Sequence, residues 1–303
     1  MKVGIVGLPN AGKSSLFNAL TQAGAEAANY PFTTIEPNVA IVPIRDDRLE
    51  QVAAIVGASE LVFDTISFQD IAGLVAGAHR GEGLGNRFLG HIRETDAILH
   101  VVRAHSDERV VHPEGRVDPL GDIETIETEL ILADLEQAER RLDRVVRTAR
   151  GGERQAIAEQ AWLEQLIAAL QAGKPARSVP VPPEAGDALR SLGPITAKPT
   201  LFVANVDEDV GEVPAAVAAH AAASAAAAVA ISARVESELG ELEPEDAAAL
   251  RAELGVAESG LERVTRAAFG RSKSCSSHPS TTRGGIHVAP RLNLISWICS
   301  GLG

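Results

Sequence analysis

The chain has few cysteines, no long apolar run and no excess of positive charge, and each shortage excludes a class of protein. Cys275 and Cys299 are the only cysteines among 303 residues, so we expect neither a disulfide framework nor a cysteine-rich metal site. No uncharged apolar run reaches the roughly 18 residues of a membrane-spanning helix. The apolar stretch from Val3 to Leu8 is too short for the core of a signal peptide. We therefore predict a cytoplasmic protein that does not contact a membrane.

The net charge of −13 repels nucleic acid on average, so any contact with RNA must depend on a local basic patch. The candidate is the segment from Arg140 to Arg154, which contains six arginines. Arg140, Arg144 and Arg147 are spaced to share one helix face. The alternative is a solvated helix face, because acidic residues are interspersed with these arginines.

With 45% hydrophobic residues, the chain can bury a sizeable core, and its length favours two domains. Short apolar segments alternate with helical patterns, which predicts an α/β fold with a largely parallel sheet covered by helices on both faces. We predict a surface helix for the alanine-rich stretch from Ala215 to Ala227. The predicted strands are Lys2 to Val6, Val39 to Pro43, Thr65 to Asp70, Ala97 to Val102, Thr200 to Ala204 and Ala228 to Ser232.

Helical periodicity extends from about Ile126 to Leu170 and is interrupted at Gly151-Gly152, which predicts an antiparallel helical hairpin. Because strand-like segments resume at Thr200, the hairpin is expected as an insertion within the α/β domain. The predicted domains are a nucleotide-binding domain formed by residues 1–125 and 197–269, an inserted helical domain at 126–196, and an irregular tail at 270–303.

The segment from Gly7 to Ser14 matches the pattern G-x-x-x-x-G-K-[ST] between a predicted strand and a predicted helix, which is the context that a P-loop requires. Backbone N–H groups of such a loop surround phosphates, and the helix N-terminus adds partial positive charge. Lys13 is predicted to reach the β- and γ-phosphates, and the Ser14 hydroxyl to ligate Mg²⁺. The residues assigned to nucleotide binding here are Asn10, Ala11, Gly12, Lys13, Ser14 and Ser15.

A P-loop enzyme also needs a second metal anchor and a sensor of the γ-phosphate. Asp70-Ile71-Ala72-Gly73 follows a predicted strand, so Asp70 is expected to hold Mg²⁺ and the Gly73 N–H to face the γ-phosphate. Thr34, preferred over Thr33, is expected to contact Mg²⁺ and the γ-phosphate. Alternatively, both threonines only shape a turn.

Leu74 occupies the position after Gly73 where Ras-like enzymes carry the glutamine that orients the attacking water. Leucine cannot form a hydrogen bond with water, so hydrolysis is either slow and partner-dependent or uses another side chain. His112 is the polar candidate in a later loop.

Base recognition is predicted after a later strand, at Asn205-Val206-Asp207-Glu208. Many GTPases carry Asn-Lys-x-Asp here, but this chain has Val206 in place of the lysine and Glu208 in place of the aspartate. Guanine recognition through Glu208 stays open, although the usual guanine contact becomes doubtful. Ser232 and Ala233, after a further strand, fit the loop whose backbone lies behind the base.

Taken in order, these motifs closely resemble those of the YchF-type Obg-like ATPases, a branch of the Obg family of P-loop GTPases. The resemblance extends over about residues 1 to 269 and is most specific in six segments of the sequence. They are Gly7 to Ser15, Tyr30 to Asn38, Asp70 to Val75, Gly81 to Asn86, Asp96 to Arg103 and Asn205 to Glu208.

The resemblance implies a preference for ATP over GTP, with backbone at Val206 contacting adenine. It implies a hydrophobic residue at Leu74 in place of the glutamine, and a role in hydrolysis for His112. Asn10 matches an asparagine associated with potassium dependence, which adds K⁺ to Mg²⁺ as a candidate cation. The helical insertion corresponds to the family's coiled-coil domain, and family members associate with ribosomes.

The sequence departs from the family pattern after Phe269. Family members carry a C-terminal TGS domain, and residues 270–303 do not resemble one. Our hypothesis is that a shifted reading frame produced this segment; sequencing the locus and finding no nearby frame for the missing domain would contradict it.

We therefore predict an ATPase that acts as a ribosome-associated switch. The competing interpretations are a GTPase that uses Glu208, and a nucleotide-dependent binding module whose turnover is incidental.

Overall fold

The computed structural model describes residues 1–26, 38–44, 46–57, 61–71, 84–106, 117–208, 210–253 and 259–273. These residues form a sheet with helices packed on both of its faces. The strands are β1 (Lys2–Val6), β2 (Val39–Pro43), β3 (Thr65–Asp70), β4 (Ala97–Arg103), β5 (Thr200–Asn205) and β6 (Ala227–Ile231). The α-helices are α1 (Lys13–Glu26), α2 (Asp47–Val56), α3 (Leu84–Arg93), α4 (Pro119–Ala149), α5 (Arg154–Gln171), α6 (Ala188–Leu192), α7 (Ala215–Ala223), α8 (Ala233–Leu239), α9 (Pro244–Glu253) and α10 (Gly260–Lys273).

The strand order is β2-β3-β1-β4-β5-β6, and every neighbouring pair is parallel except β2 with β3. Every residue of the central strand β4 is buried, as expected for a parallel strand that is covered on both faces. The edge strand β2 instead alternates between buried and half-buried residues. The predicted α/β fold with a largely parallel sheet is therefore confirmed.

Two hydrophobic clusters lie on opposite faces of the sheet. On one face, Leu16 and Leu20 of α1 pack with Val264 of α10. On the other, Ile92 of α3 packs with Ile126 of α4. The sheet is thus held between two helical layers, and this fixes the positions of the loops at its ends.

Helices α4 and α5 form a hairpin joined by residues 150–153. Trp162 and Leu166 of α5 are almost completely buried in a cluster with Val145 of α4, and Arg141 pairs with Glu159 across the two helices. Residues of α4 that precede the short connection contact residues of α5 that follow it. The two helices are therefore antiparallel. A hairpin of this kind matches the prediction from periodicity.

Helix α4 begins earlier than the predicted hairpin, because Asp118 caps it and Pro119 occupies its first turn. The Asp118 side chain accepts a hydrogen bond from the Gly121 N–H at 3.1 Å, which satisfies one of the free N–H groups of the first turn. One continuous helix therefore connects the sheet domain to the hairpin. The predicted boundary at residue 126 lies inside this helix.

Two further elements differ in extent from the sequence expectation. The alanine-rich helix α7 ends at Ala223, and residues from Ala227 onward form β6, because burial beside β5 outweighs the helix propensity of alanine. Helix α10 extends to Lys273, which is four residues into the range that we assigned to the tail. Among the residues that the structure describes, no helix combines the length and apolarity that a membrane span requires.

Candidate active site

The carboxyl ends of the parallel strands meet at one edge of the sheet, as their shared direction requires. The loop after β1, His105 and Ser106 after β4, and the segments after β5 and β6 together surround a cavity of about 1100 Å³. Asp70 ends β3 at the same edge, since β3 is parallel to β1 with Asp70 paired to Ile5. Residues far apart in sequence are therefore brought together around one cavity.

Glycine is required at two positions of the loop after β1. Gly12 has a φ of 97°, and a Cβ there would overlap the Asn205 side chain. At Gly7, a Cβ would overlap the backbone carbonyl of Val101 on β4. The loop therefore lies against β4 and the end of β5, with its backbone at Gly12 in a conformation that other residues rarely adopt.

Lys13 begins helix α1 and is only 8% exposed. Its Nζ donates a hydrogen bond to the Leu8 carbonyl at 2.7 Å, which holds the ammonium across the loop. Burial lowers the pKa of Lys13, and the nearby Asp70 carboxylate opposes that change. Burial likewise raises the pKa of Asp70, and Lys13 opposes that rise. Each charge thus partly compensates the desolvation of the other.

Asn205 connects three segments of the site. Its Nδ2 donates to the Ala11 carbonyl at 3.1 Å, and its Oδ1 accepts from the Ala233 N–H at 3.0 Å. The side chain is nearly fully buried, so both contacts are shielded from water and fix the P-loop relative to the end of β6. The asparagine therefore has a structural function in addition to any contact with a base.

The segment after β5 presents different groups to the cavity. Val206 is buried, and its N–H donates to the Ile231 carbonyl at 2.8 Å. The Asp207 carboxylate accepts from both the N–H and the hydroxyl of Ser106, at 3.1 Å each. Glu208 forms an ion pair with Arg234 at 2.8 Å. Consequently Val206 cannot cover a base with its side chain, and Glu208 is already paired.

Most residues that were predicted to bind nucleotide line this cavity. They are Asn10, Gly12, Lys13, Ser14, Ser15, Asn205, Val206, Glu208, Ser232 and Ala233. Ala11 does not line the cavity. Its side chain is buried in the core cluster with Leu16, and its carbonyl accepts the hydrogen bond from Asn205. Thr34, Gly73, Leu74 and His112 lie outside the described residues, so their roles stay predictions.

Sequence reasoning missed His105, Ser106, Asp207 and Arg234, which also line the cavity. His105 and Ser106 follow β4, and the rule that ligands bind at the carboxyl ends of parallel strands could have indicated them. Arg234 gave no such signal, because it lies within a helix and reaches the cavity only through the position of α8.

Ser14 and Asp70 offer donors that suit a magnesium ion. The Ser14 residue is exposed toward the cavity and Asp70 is half-buried beside Lys13. A hydroxyl, one carboxylate and substrate phosphate oxygens form a usual donor set for Mg²⁺ in nucleotide sites. Within the described ranges there is no group of three or more His, Cys, Asp or Glu residues suited to a metal, and a site of this kind does not need one.

Comparisons with known proteins agree with this geometry. The family model of the 50S ribosome-binding GTPases matches residues 2–139. The ribosome-binding ATPase YchF of Bacillus subtilis (strain 168) is 48% identical over 275 residues, which cover 89% of this chain and 75% of that protein. The protein of the same name from Haemophilus influenzae is 49% identical over 278 residues, covering 88% and 75%. The structure of the Schizosaccharomyces pombe YchF GTPase superposes with a TM-score of 0.76 at 31% identity, covering 90% of this chain and 75% of that one.

Proposed function

Because the chain belongs to the YchF family of P-loop nucleoside triphosphatases, we propose that it hydrolyses ATP to ADP and phosphate in the cytoplasm and associates with the ribosome. The two bacterial relatives are named ribosome-binding ATPases, and the cavity at the P-loop supports the same chemistry here. The observation that carries the proposal is the position of Lys13, buried at the loop and beside Asp70.

Charge neutralisation is the main contribution of this site to hydrolysis. Lys13 would exchange its bond with the Leu8 carbonyl for phosphate oxygens, and the N–H groups of the P-loop would bind the same phosphates. Ser14 and Asp70 would hold Mg²⁺, together with Thr34, and the ion would neutralise charge that develops on the phosphates. Asn10, whose φ of 62° turns the loop, is the proposed contact of a K⁺ ion.

A preference for ATP follows from the groups around the base end of the cavity. The Val206 N–H donates to the Ile231 carbonyl, so the backbone group that Val206 can offer to a base is its carbonyl, which is an acceptor. An acceptor suits the amino group at C6 of adenine and repels the O6 atom of guanine. Glu208 forms an exposed ion pair with Arg234, so a guanine contact through Glu208 would require that pair to open.

Measured affinities for ATP and GTP in Mg²⁺ test this preference. We expect ATP to bind more tightly, and Glu208→Gln to change both affinities by less than about threefold. Glu238→Gln is the matched control, because Glu238 also pairs with Arg234 and also lines the cavity. Tenfold tighter binding of GTP, about 1.4 kcal/mol, would favour a GTPase, as would a selective loss of GTP binding in Glu208→Gln.

Hydrolysis also needs a group that positions the attacking water. We propose that His112 supplies it because Leu74 cannot, and that the Gly73 N–H contacts the γ-phosphate. The His112 assignment rests on the resemblance to the family, and the Gly73 assignment rests on the Asp70-Ile71-Ala72-Gly73 motif after β3.

Association with the ribosome is tested by cosedimentation at several salt concentrations with ATP, with ADP and without nucleotide. We expect binding that depends on the nucleotide. Nucleotide-dependent binding with no steady-state ATP turnover would instead favour the binding module with incidental hydrolysis.

A further inference from the structure

Arg234 is the one arginine among the described residues that line the nucleotide cavity, and two carboxylates hold its guanidinium. Its Nη2 lies 2.8 Å from a carboxylate oxygen of Glu208, and its Nε lies 3.1 Å from one of Glu238. Glu208 follows β5, whereas Arg234 and Glu238 lie one turn apart on α8. The guanidinium therefore connects α8 to the segment after β5, and we call these three residues the arginine bridge.

The backbone that carries Arg234 is fixed relative to β5. Ala233, its neighbour in the chain, donates its N–H to the Asn205 side chain at 3.0 Å. Ser232 caps α8 by accepting a hydrogen bond from the Val235 N–H. Because Asn205 ends β5, the start of α8 and the segment after β5 are held together at the end of the cavity where the base is expected.

The arginine bridge changes the kind of group that this end of the cavity offers to a base. Glu208 stands in place of the aspartate that accepts hydrogen bonds from two N–H groups of guanine in many GTPases. Here the carboxylate is paired with a guanidinium, which has five N–H donors and no acceptor. Nε and Nη2 form the two ion pairs, so Nη1 retains donors for a ligand. A donor therefore takes the place of the usual acceptor.

Adenine and guanine differ in what the N1 position requires. N1 of adenine has a lone pair and accepts a hydrogen bond, whereas N1 of guanine carries a hydrogen and lies next to a second donor, the 2-amino group. A guanidinium opposite N1 therefore suits adenine and leaves two donors of guanine without an acceptor. This contact differs from that of the Val206 carbonyl, which faces the substituent at C6.

We propose that Arg234 determines base specificity by donating a hydrogen bond to N1 of adenine and by keeping Glu208 paired. The inference rests on the proposed ATP hydrolysis and deepens it by naming a specificity-determining residue. The side chains of Arg234 and Glu208 are 57% and 47% exposed, and exposed ion pairs are weak and exchange readily. The pair alone is therefore a small barrier to guanine, and the donor at N1 carries most of the discrimination.

The test measures the equilibrium affinities of the full chain for ATP and GTP in Mg²⁺. Arg234→Ala should weaken ATP binding, because the donor at N1 is lost, and strengthen GTP binding, because Glu208 is released. We expect the ratio of the two affinities to shift toward GTP by about tenfold, which is about 1.4 kcal/mol. Both nucleotides carry the same triphosphate, so any loss of general attraction to phosphate cancels in this ratio.

Two further variants sharpen the test. Arg190→Ala is the matched control, because it removes the same charge from an exposed position on α6, outside the cavity, and should leave the ratio unchanged. In the double variant Arg234→Ala/Glu208→Gln, the gain in GTP binding should disappear while the loss of ATP binding remains. An unchanged ratio in Arg234→Ala would overturn the proposal, and so would a gain in GTP affinity that persists in full in the double variant.

The analogue 1-deaza-ATP has a carbon in place of N1 and keeps the amino group at C6, so it separates this inference from the proposed function. The wild type should bind it about fivefold more weakly than ATP, as expected for one lost hydrogen bond, and Arg234→Ala should bind the two equally. If the wild type binds both equally and still prefers ATP to GTP, the assignment of Arg234 is wrong and the proposed preference stands. If the wild type prefers GTP and Arg234→Ala shifts the ratio further toward GTP, the proposed preference is wrong and the role of Arg234 stands.

Discussion

Asn205 offers the sharpest test of how the site is held together. In Asn205→Ala, the Ala11 carbonyl and the Ala233 N–H both lose their partner. Leaving a buried polar group unsatisfied costs about 1–3 kcal/mol. The gap left by the side chain opens toward the cavity and can admit water, so we take the lower part of that range for each group. The expected loss is about 2–4 kcal/mol, a large share of the roughly 5–15 kcal/mol that stabilises a typical protein.

The assay is urea unfolding of the nucleotide-free protein, with the free energy of unfolding obtained from the midpoint and slope. Ser106→Ala is the matched control, because it removes a hydrogen bond to Asp207 across the same cavity at an exposed position; its loss should stay below about 0.5 kcal/mol. ATP affinity should also fall in Asn205→Ala, since fewer molecules would hold the P-loop in its binding conformation. A loss no larger than that of Ser106→Ala would show that water replaces the amide, and our reasoning would be refuted.

Three further predictions concern charge and proton transfer. Lys13→Ala should abolish hydrolysis in a chain that still folds, because it removes the cation at the phosphates; wild-type turnover with normal circular dichroism would refute the site. His112→Ala should lower kcat by about 10²–10⁴-fold and leave ATP affinity nearly unchanged, whereas weaker binding at constant kcat would make it a loop-ordering residue. Burial lowers the pKa of His100 to about 3, so the unfolded chain binds a proton below its own pKa of about 6.5 that the folded chain rejects. The free energy of unfolding should therefore decrease as the pH is lowered below about 6.5. The difference in unfolding free energy between the wild type and His100→Phe, measured with urea, should change by about 1.4 kcal/mol per pH unit; a difference that does not vary with pH would refute the lowered pKa of His100.

Much of the candidate active site was predicted from short sequence motifs, and the arrangement of the site explains why. The P-loop has a fixed spacing, with a strand before it and a helix after it, and both elements occur where the pattern predicts them. Asn205 and Ser232 were found in the same way, since Asn205 ends β5 and Ser232 follows β6. Such signals are local because backbone N–H groups and helix termini make the phosphate site.

Other parts of the site depend on which elements become neighbours, and no local pattern encodes that. Arg234 reaches Glu208 only because α8 follows β6 beside β5. The buried N–H of Val206 is likewise taken by a carbonyl from the next strand. Both contacts bear on which base is recognised, so the residues alone could only make the usual guanine contact doubtful, and the proposed preference for ATP came from the resemblance.

The sequence by itself determined the class of fold, the position of the phosphate loop and the hairpin, because these depend on apolar periodicity and on motifs within a few residues. Only the tertiary structure decided that Arg93 lies beside Arg140 and Arg144, forty-seven residues or more along the chain, and that Asp134 accepts hydrogen bonds from Ile195 and Thr196. The run of arginines looked like one helix face in the sequence, whereas packing of α4 against α3 and α5 divides it into members that are paired with a carboxylate, members that lie beside Arg93 and members that face outward. Charge along a helix can be read from spacing, but whether a charge is compensated depends on the side chains that folding brings next to it.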